Sequence, residues 1–192
     1  MSLFNERKNS ALLVIDVQNG VVEDAFARNK VIAAINTVID KARTKDVPVI
    51  WIQHSDEELT IDSDAWQIVS ELKPQSDEKI VRKLYRSSFE ATELEDLLSS
   101  LSVDHLYITG AQTNNCVRHT SHSALDRGYD ITLISDAHTA SGYEWNGHTV
   151  NAEDVINEQN DSFTNYSLPG RRAVAKPSAD IAFLDTAIML KP

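Results

Sequence analysis

The chain is short of the residues that staple small domains together and of those that hold polyanions. It has one cysteine, Cys116, among 192 residues. No internal disulfide can form, which fits a reducing compartment. Glycine is scarce at six residues. Neither G-x-G-x-x-G nor G-x-x-x-x-G-K-[ST] occurs, so a phosphate cradle of the dinucleotide or P-loop kind is disfavoured. Basic side chains number 18 against 29 acidic ones, a formal net charge of −11. Without a basic cluster, such a chain is repelled by phosphate backbones and anionic lipid, so neither nucleic acid nor a membrane surface is expected as a partner. Long apolar runs are also missing. The run over residues 11–15 stops at Asp16, far short of the ~18 residues a membrane span needs and too short for a signal peptide. These absences predict a cytoplasmic protein.

What is present is ordinary globular material: 42% hydrophobic and 24% charged residues. A chain of this length buries roughly 70% of the surface its unfolded form exposes, and one domain over residues 1–192 is expected. Short apolar runs alternate with helical patterns. Strands are predicted at 11–15, 48–53, 80–81, 105–109, 131–135 and 172–175, with an apolar tail after 182. Helices are predicted at 28–45, where Val31, Ile32, Ile35, Val38, Ile39 and Ala42 recur at helical spacing, and at 90–101, 114–126 and 152–157. Gly128 supplies a C-terminal stop for the third of these. Residues 55–75 are polar and irregular, and the acidic run 56–64 within them suits a solvated loop. Strands alternating with helices predict a three-layer α/β/α fold, a doubly wound, mostly parallel sheet. Ligands of such sheets sit beyond the carboxyl ends of the strands where strand order reverses. If the reversal lies between strands 11–15 and 105–109, Asp16 and Cys116 converge on one cleft.

Cys116 lies in Gly110-Ala-Gln-Thr-Asn-Asn-Cys116, between a strand and a helix start. Two readings are open: a small packed hydrophobe, or a nucleophile. The polar Thr113, Asn114 and Asn115 suit a sharp turn better than a core layer. A nucleophilic thiol is expected to titrate well below 8.5. Two pKa units need about 2.7 kcal/mol, and a helix N-terminus contributes at most ~2, so a cation or base should lie nearby. Asp16, closing an apolar strand, is either a turn cap or such a base, and Gln18 could orient a substrate or that carboxylate. The cations of Val81-Arg-Lys-Leu-Tyr-Arg86 either reach the cleft or stay in solvent. Trp66 and Phe89 are candidates for a pocket wall, although buried aromatics are more often core, and His54 could donate to a substrate or serve structure. His119 and His122 receive no role.

Three segments, Leu12-Leu-Val-Ile-Asp-Val-Gln-Asn19, Lys83-Leu-Tyr-Arg-Ser-Ser-Phe89 and Gly110-Ala-Gln-Thr-Asn-Asn-Cys-Val117, resemble the isochorismatase-like cysteine hydrolases. That family includes nicotinamidases, N-carbamoylsarcosine amidases and ureidoacrylate amidohydrolases. Asp126-Arg-Gly-Tyr-Asp130 and Ile134-Ser-Asp-Ala137 match as well, so the resemblance covers nearly the whole chain. It implies a triad of Asp16, Lys83 and Cys116, a cis peptide at Ala111–Gln112, and an oxyanion hole built from the N–H groups of Gln112 and Cys116. It further implies hydrolysis of a C–N bond in a small amide or ureido compound through a thioester, with no cofactor, and homo-oligomers are usual in the family. Nicotinamidases hold a metal with Asp and His after the second strand. Here that stretch reads Gln53-His-Ser-Asp-Glu-Glu58, with one histidine, and no metal is expected. A non-catalytic binding or assembly protein of the same fold, and a thiol redox sensor using Cys116, are the alternative readings.

Overall fold

The computed structural model describes residues 2–164 and 166–183. Nine strands and five helices follow in order: β1 (Asn9–Ile15), α1 (Asn19–Val22), α2 (Arg28–Thr44), β2 (Val49–His54), β3 (Lys79–Lys83), α3 (Leu94–Ser100), β4 (Val103–Ala111), α4 (Arg118–Arg127), β5 (Asp130–Thr139), β6 (Tyr143–Trp145), β7 (His148–Val150), α5 (Ala152–Thr164), β8 (Ser167–Leu168) and β9 (Arg171–Lys176). The main sheet runs β3-β2-β1-β4-β5-β9-β8. All neighbours are parallel except the β8–β9 pair at the edge. The expected three-layer α/β/α architecture is therefore the one observed.

The inner strands β1, β2, β4 and β5 are largely apolar and buried because both of their faces are covered. Along β1, Leu12 and Val14 enter the core beneath α2, with Ile35, Val38 and Ile39. Ala11, Leu13 and Ile15 enter the opposite core, with Leu94 and Leu98 of α3, Leu125 of α4 and Phe163 of α5. Alternation with period two thus feeds two layers instead of one core and one solvent face. Each of these large aliphatic side chains contributes roughly 1.5–3 kcal/mol by leaving water. The helix α2 ends in a basic last turn, Lys41 and Arg43, as its dipole favours. Lys41 Nζ donates to the carbonyls of Ser178, Ala179 and Ile181, tying the end of the described chain to this helix.

Several boundaries differ from expectation. The helix predicted from residue 90 starts at Leu94, because Ala91 takes a left-handed φ of 52°. The helix predicted from 114 is first a π-turn, Thr113–Val117, kinked at Asn115, and only then regular; Gly128 does close it, at φ 106°. The helix predicted over 152–157 continues to Thr164. The antiparallel hairpin β6–β7 was not anticipated. The apolar tail read after 182 lies, from residue 184 onward, outside the described residues. Among the described residues no helix is long and apolar enough to cross a membrane.

Candidate active site

Strand order reverses between β1 and β4. From β1 the chain proceeds outward through β2 and β3; from β4 it proceeds the other way through β5 and β9. The loops leaving the two central strands therefore diverge and leave a crevice at their carboxyl ends. Gly110 lets the two strands approach there. Its φ is +119°, and a Cβ at that position would stand 2.0 Å from the Ile15 carbonyl oxygen. One residue beyond Ile15, Asp16 takes a left-handed φ of 48°, a conformation Asp tolerates better than most residues. Its N–H still donates to Ile52 O, so β2 holds the backbone while the side chain turns into the crevice. Across from it, the Ala111–Gln112 peptide is cis. The Gln112 carbonyl accepts from the N–H groups of Asn115 and Val117, closing the turn that carries Cys116. Thr113 in the same turn pairs its hydroxyl with His138 Nδ1, whose Nε2 meets Asn160 Oδ1. The turn is thus anchored to both β5 and α5.

Lys83 arrives from the end of β3, where parallel pairing sets it beside His54 of β2. Its ammonium is fully buried and stands 2.6 Å from Asp16 Oδ2. It lies 3.2 Å from Cys116 Sγ, 3.1 Å from His54 Nδ1 and 3.1 Å from the Tyr85 carbonyl oxygen. Three N–H protons therefore serve four acceptors, which fixes the ammonium at one point. Ser87 and Ser88, a few residues on, bond to Ser123 and Thr120 of α4 and pin the loop after β3 against the helix that follows Cys116.

The electrostatics couple these groups. Asp16 is 1% exposed. Burial raises its pKa more than the Lys83 charge lowers it. The Cys116 thiol is pushed up to about 12, first by burial and then by the Asp16 charge, with Lys83 opposing. The expectation of a thiol titrating well below 8.5 is therefore corrected: desolvation and a neighbouring carboxylate outweigh the cation. Asp16 and Cys116 are hydrogen-bonded to each other and titrate as a coupled pair. His54 is lowered, by burial and then by Lys83, so it is neutral at pH 7. With Lys83 donating to Nδ1, the remaining proton sits on Nε2, 3.2 Å from Asp56 Oδ2. Burial raises Asp56, but backbone N–H groups of Leu59 and Glu58 together with His54 more than offset it, and the net shift is downward.

A cavity of about 320 Å³ opens above these groups. Asp16, Cys116, His54, Gln112 and Asn115 line it, and Val21, Leu59 and Ala65 add apolar surface. Asp56 and Glu58 line it too. The run 56–64, read as a solvated loop, thus contributes the cavity's acidic side, a role that its charge alone could not disclose. Among the described residues no group of three or more His, Cys, Asp or Glu side chains is placed to hold a metal ion.

Asp16, Lys83, Cys116, Gln112 and His54 are brought together; three other candidates are not. Gln18 is completely buried. Its amide spans His54 N, His54 O and Trp66 O, so it clamps the excursion after β2 to the end of that strand and has no surface left for a substrate. Trp66 is buried with its indole N–H on Ser55 Oγ, and Phe89 packs in the core against Tyr129. Both are framework and not cavity wall, since their rings found better burial beneath the loops.

The fold and the site define a class: a doubly wound α/β/α protein with a buried carboxylate and ammonium meeting a half-buried thiol at the switch point. Residues 10–155 match the isochorismatase domain, and the chain belongs to the isochorismatase family of hydrolases. It is 34% identical over 142 residues to the uncharacterized isochorismatase family protein YrdC of Bacillus subtilis, an alignment covering 70% of this chain and 76% of that one. It is 31% identical over 138 residues to a streptothricin hydrolase of Streptomyces noursei, covering 69% of this chain and 55% of the relative. A crystal structure of a cysteine hydrolase from Pseudomonas syringae pv. phaseolicola superposes with a TM-score of 0.82 at 23% identity, covering 90% of each chain, a likeness in fold.

Proposed function

We propose that the protein is a cysteine hydrolase that cleaves the C–N bond of a small amide or ureido compound through a thioester. The observation that carries this is the meeting of Asp16, Lys83 and Cys116 within hydrogen-bond distance of one ammonium at the floor of an open cavity. The coupling between Asp16 and Cys116 supports the division of labour. Asp16, whose basicity is raised by burial, takes the thiol proton as Sγ attacks the carbonyl carbon. Neither partner has to ionise alone in a low-dielectric site, because the proton passes from one to the other while Lys83 balances the single negative charge.

The carbonyl oxygen becomes an oxyanion, which the backbone N–H groups of Gln112 and Cys116 receive. Collapse breaks the C–N bond, and the proton on Asp16 goes to the departing nitrogen. A thioester remains. Asp16 then takes a proton from water as its oxygen adds to the acyl carbon, the C–S bond breaks, and the proton returns to sulfur. His54 touches no reacting atom in this scheme; it holds Lys83 in place. A redox-sensing role for Cys116 is the weaker reading, since such thiols are low in pKa and this one is raised.

The test is release of ammonia or amine from a panel of small amides and ureido compounds. Cys116→Ala and Lys83→Met are each expected to lower kcat/KM by at least about a thousandfold on any substrate found. Wild-type protein mixed with substrate and quenched with acid should carry the acyl mass on Cys116. Full activity in the Cys116→Ala variant would overturn the assignment.

A further inference from the structure

The charge of the cavity says which amides can enter it. Among the described residues that line it there are three carboxylates, Asp16, Asp56 and Glu58, and no lysine or arginine. Lys83 lies below the floor and is matched by Asp16 at 2.6 Å. Because Asp16 and Cys116 hold one proton between them, that pair and Lys83 sum to zero whichever atom carries it. Asp56 and Glu58 are then uncompensated, and the cavity holds two negative charges. The two differ in availability. Asp56 is engaged by the N–H groups of Glu58 and Leu59 and by His54. The Glu58 side chain is exposed and engaged in no hydrogen bond or ion pair among the described residues.

Resting on the reading of Cys116 as the nucleophile, we propose that the substrate is an amide or ureido compound bearing a cationic group, seated toward Glu58 and Asp56, and that carboxylate-bearing analogues are excluded. The physical basis is direct. A cation in the cavity is drawn by both carboxylates and an anion is repelled by both, with no basic side chain to receive it. The protein's overall charge of −11 acts in the same direction, but from further away and through more salt.

Because the chain has a single cysteine, the field at the nucleophile can be read without knowing the substrate. Cys116 would be modified by methanethiosulfonates carrying an aminoethyl or a sulfonatoethyl group, each rate divided by that of the same reagent on a free thiol. At low ionic strength the cationic reagent is expected to react about tenfold faster or more, with the ratio shrinking as salt is added. Glu58→Lys should cut the ratio severalfold. Glu6→Lys, with the same change in net charge on an exposed residue before β1, should leave it within twofold, which separates the local field from the global one. Equal or faster reaction of the anionic reagent overturns the proposal, and so does a ratio that Glu58→Lys and Glu6→Lys change alike. Among substrates, matched amides bearing an ammonium or a carboxylate should divide in the same sense. Turnover of the carboxylate member alone overturns the charge assignment and leaves the nucleophile standing. Activity that survives Cys116→Ala removes the nucleophile, while the reagent ratio still reports the field.

Discussion

At the scale of single residues, the site is governed by desolvation. A free thiol and a carboxylate would each titrate independently in water; held within hydrogen-bond distance of one ammonium and largely shielded from water, each answers to the other's charge. Removing the negative neighbour should therefore lower the Cys116 pKa even though it abolishes turnover. Asp16→Asn is expected to shift the pH dependence of iodoacetamide alkylation downward by at least a unit relative to the native protein, whose thiol is pushed up by burial and by the Asp16 charge. An unmoved or raised profile would contradict the coupling. Asp16 and Cys116 were legible in the sequence because a carboxylate closing an apolar strand and a cysteine inside a polar turn are both out of place by composition. Lys83 was less so: three cations in six residues look alike until the fold buries one. The direction of the thiol's shift was not legible at all, since it depends on how much water the surrounding atoms exclude. Asp56 and Glu58 were hidden in the same way, as two acids within a polar run whose path over the cavity no local pattern records.

At the scale of elements, the site depends on how closely two strands and two turns can approach. Gly110 is the point of contact, and Gly110→Ala forces a Cβ into the Ile15 carbonyl as well as an unfavourable φ. It is expected to cost more than about 3 kcal/mol, as steric overlap with backbone and a left-handed conformation combine; urea unfolding monitored by circular dichroism measures it, and a loss under 1 kcal/mol would show that β1 and β4 can separate without penalty. The hairpin β6–β7 had a readable signal that the periodicity search passed over. Asn146 and Gly147 both take positive φ, as a tight two-residue turn requires, and the Asn-Gly pair is its usual signature. The π-turn at Thr113–Val117 had no such signal. It is closed by the N–H groups of Asn115 and Val117, which both donate to Gln112 O, a pairing that no hydrophobic periodicity records. Gln18 was misread for a related reason: its position just beyond β1 suggested reach toward a ligand, while His54 at the end of β2 and Trp66 in the excursion that follows claimed its three hydrogen bonds.

At the scale of the whole molecule, a buried histidine and a half-buried one link stability to pH. His138 between Thr113 and Asn160, and His105 at the start of β4, are both lowered to about 4, chiefly by burial. In the unfolded chain each takes a proton near pH 6.5. Between those values the unfolded state binds more protons, so stability is intact above pH 6.5 and falls as the pH drops toward 4. For His138 the loss between pH 7 and pH 5 is about 2 kcal/mol by this linkage. Denaturation at the two pH values checks it, and His138→Gln should flatten the dependence by that amount; a slope unchanged in the variant would assign it elsewhere. Because His138 also anchors the turn bearing Cys116, acid should loosen the site along with the fold.

The alternation of apolar runs with helical patterns determined the layered parallel sheet, because strands covered on both faces must be apolar throughout and the crossovers between them must be helical. The three segments that contain Asp16, Lys83 and Cys116 carried the family resemblance for the same reason that their residues are costly to misplace. Tertiary structure alone decided which of the polar residues face the cavity, which way the thiol's proton affinity moves, and that two carboxylates stand uncompensated beside it. Those outcomes depend on distance and on excluded water, and neither is a property of neighbours along the chain.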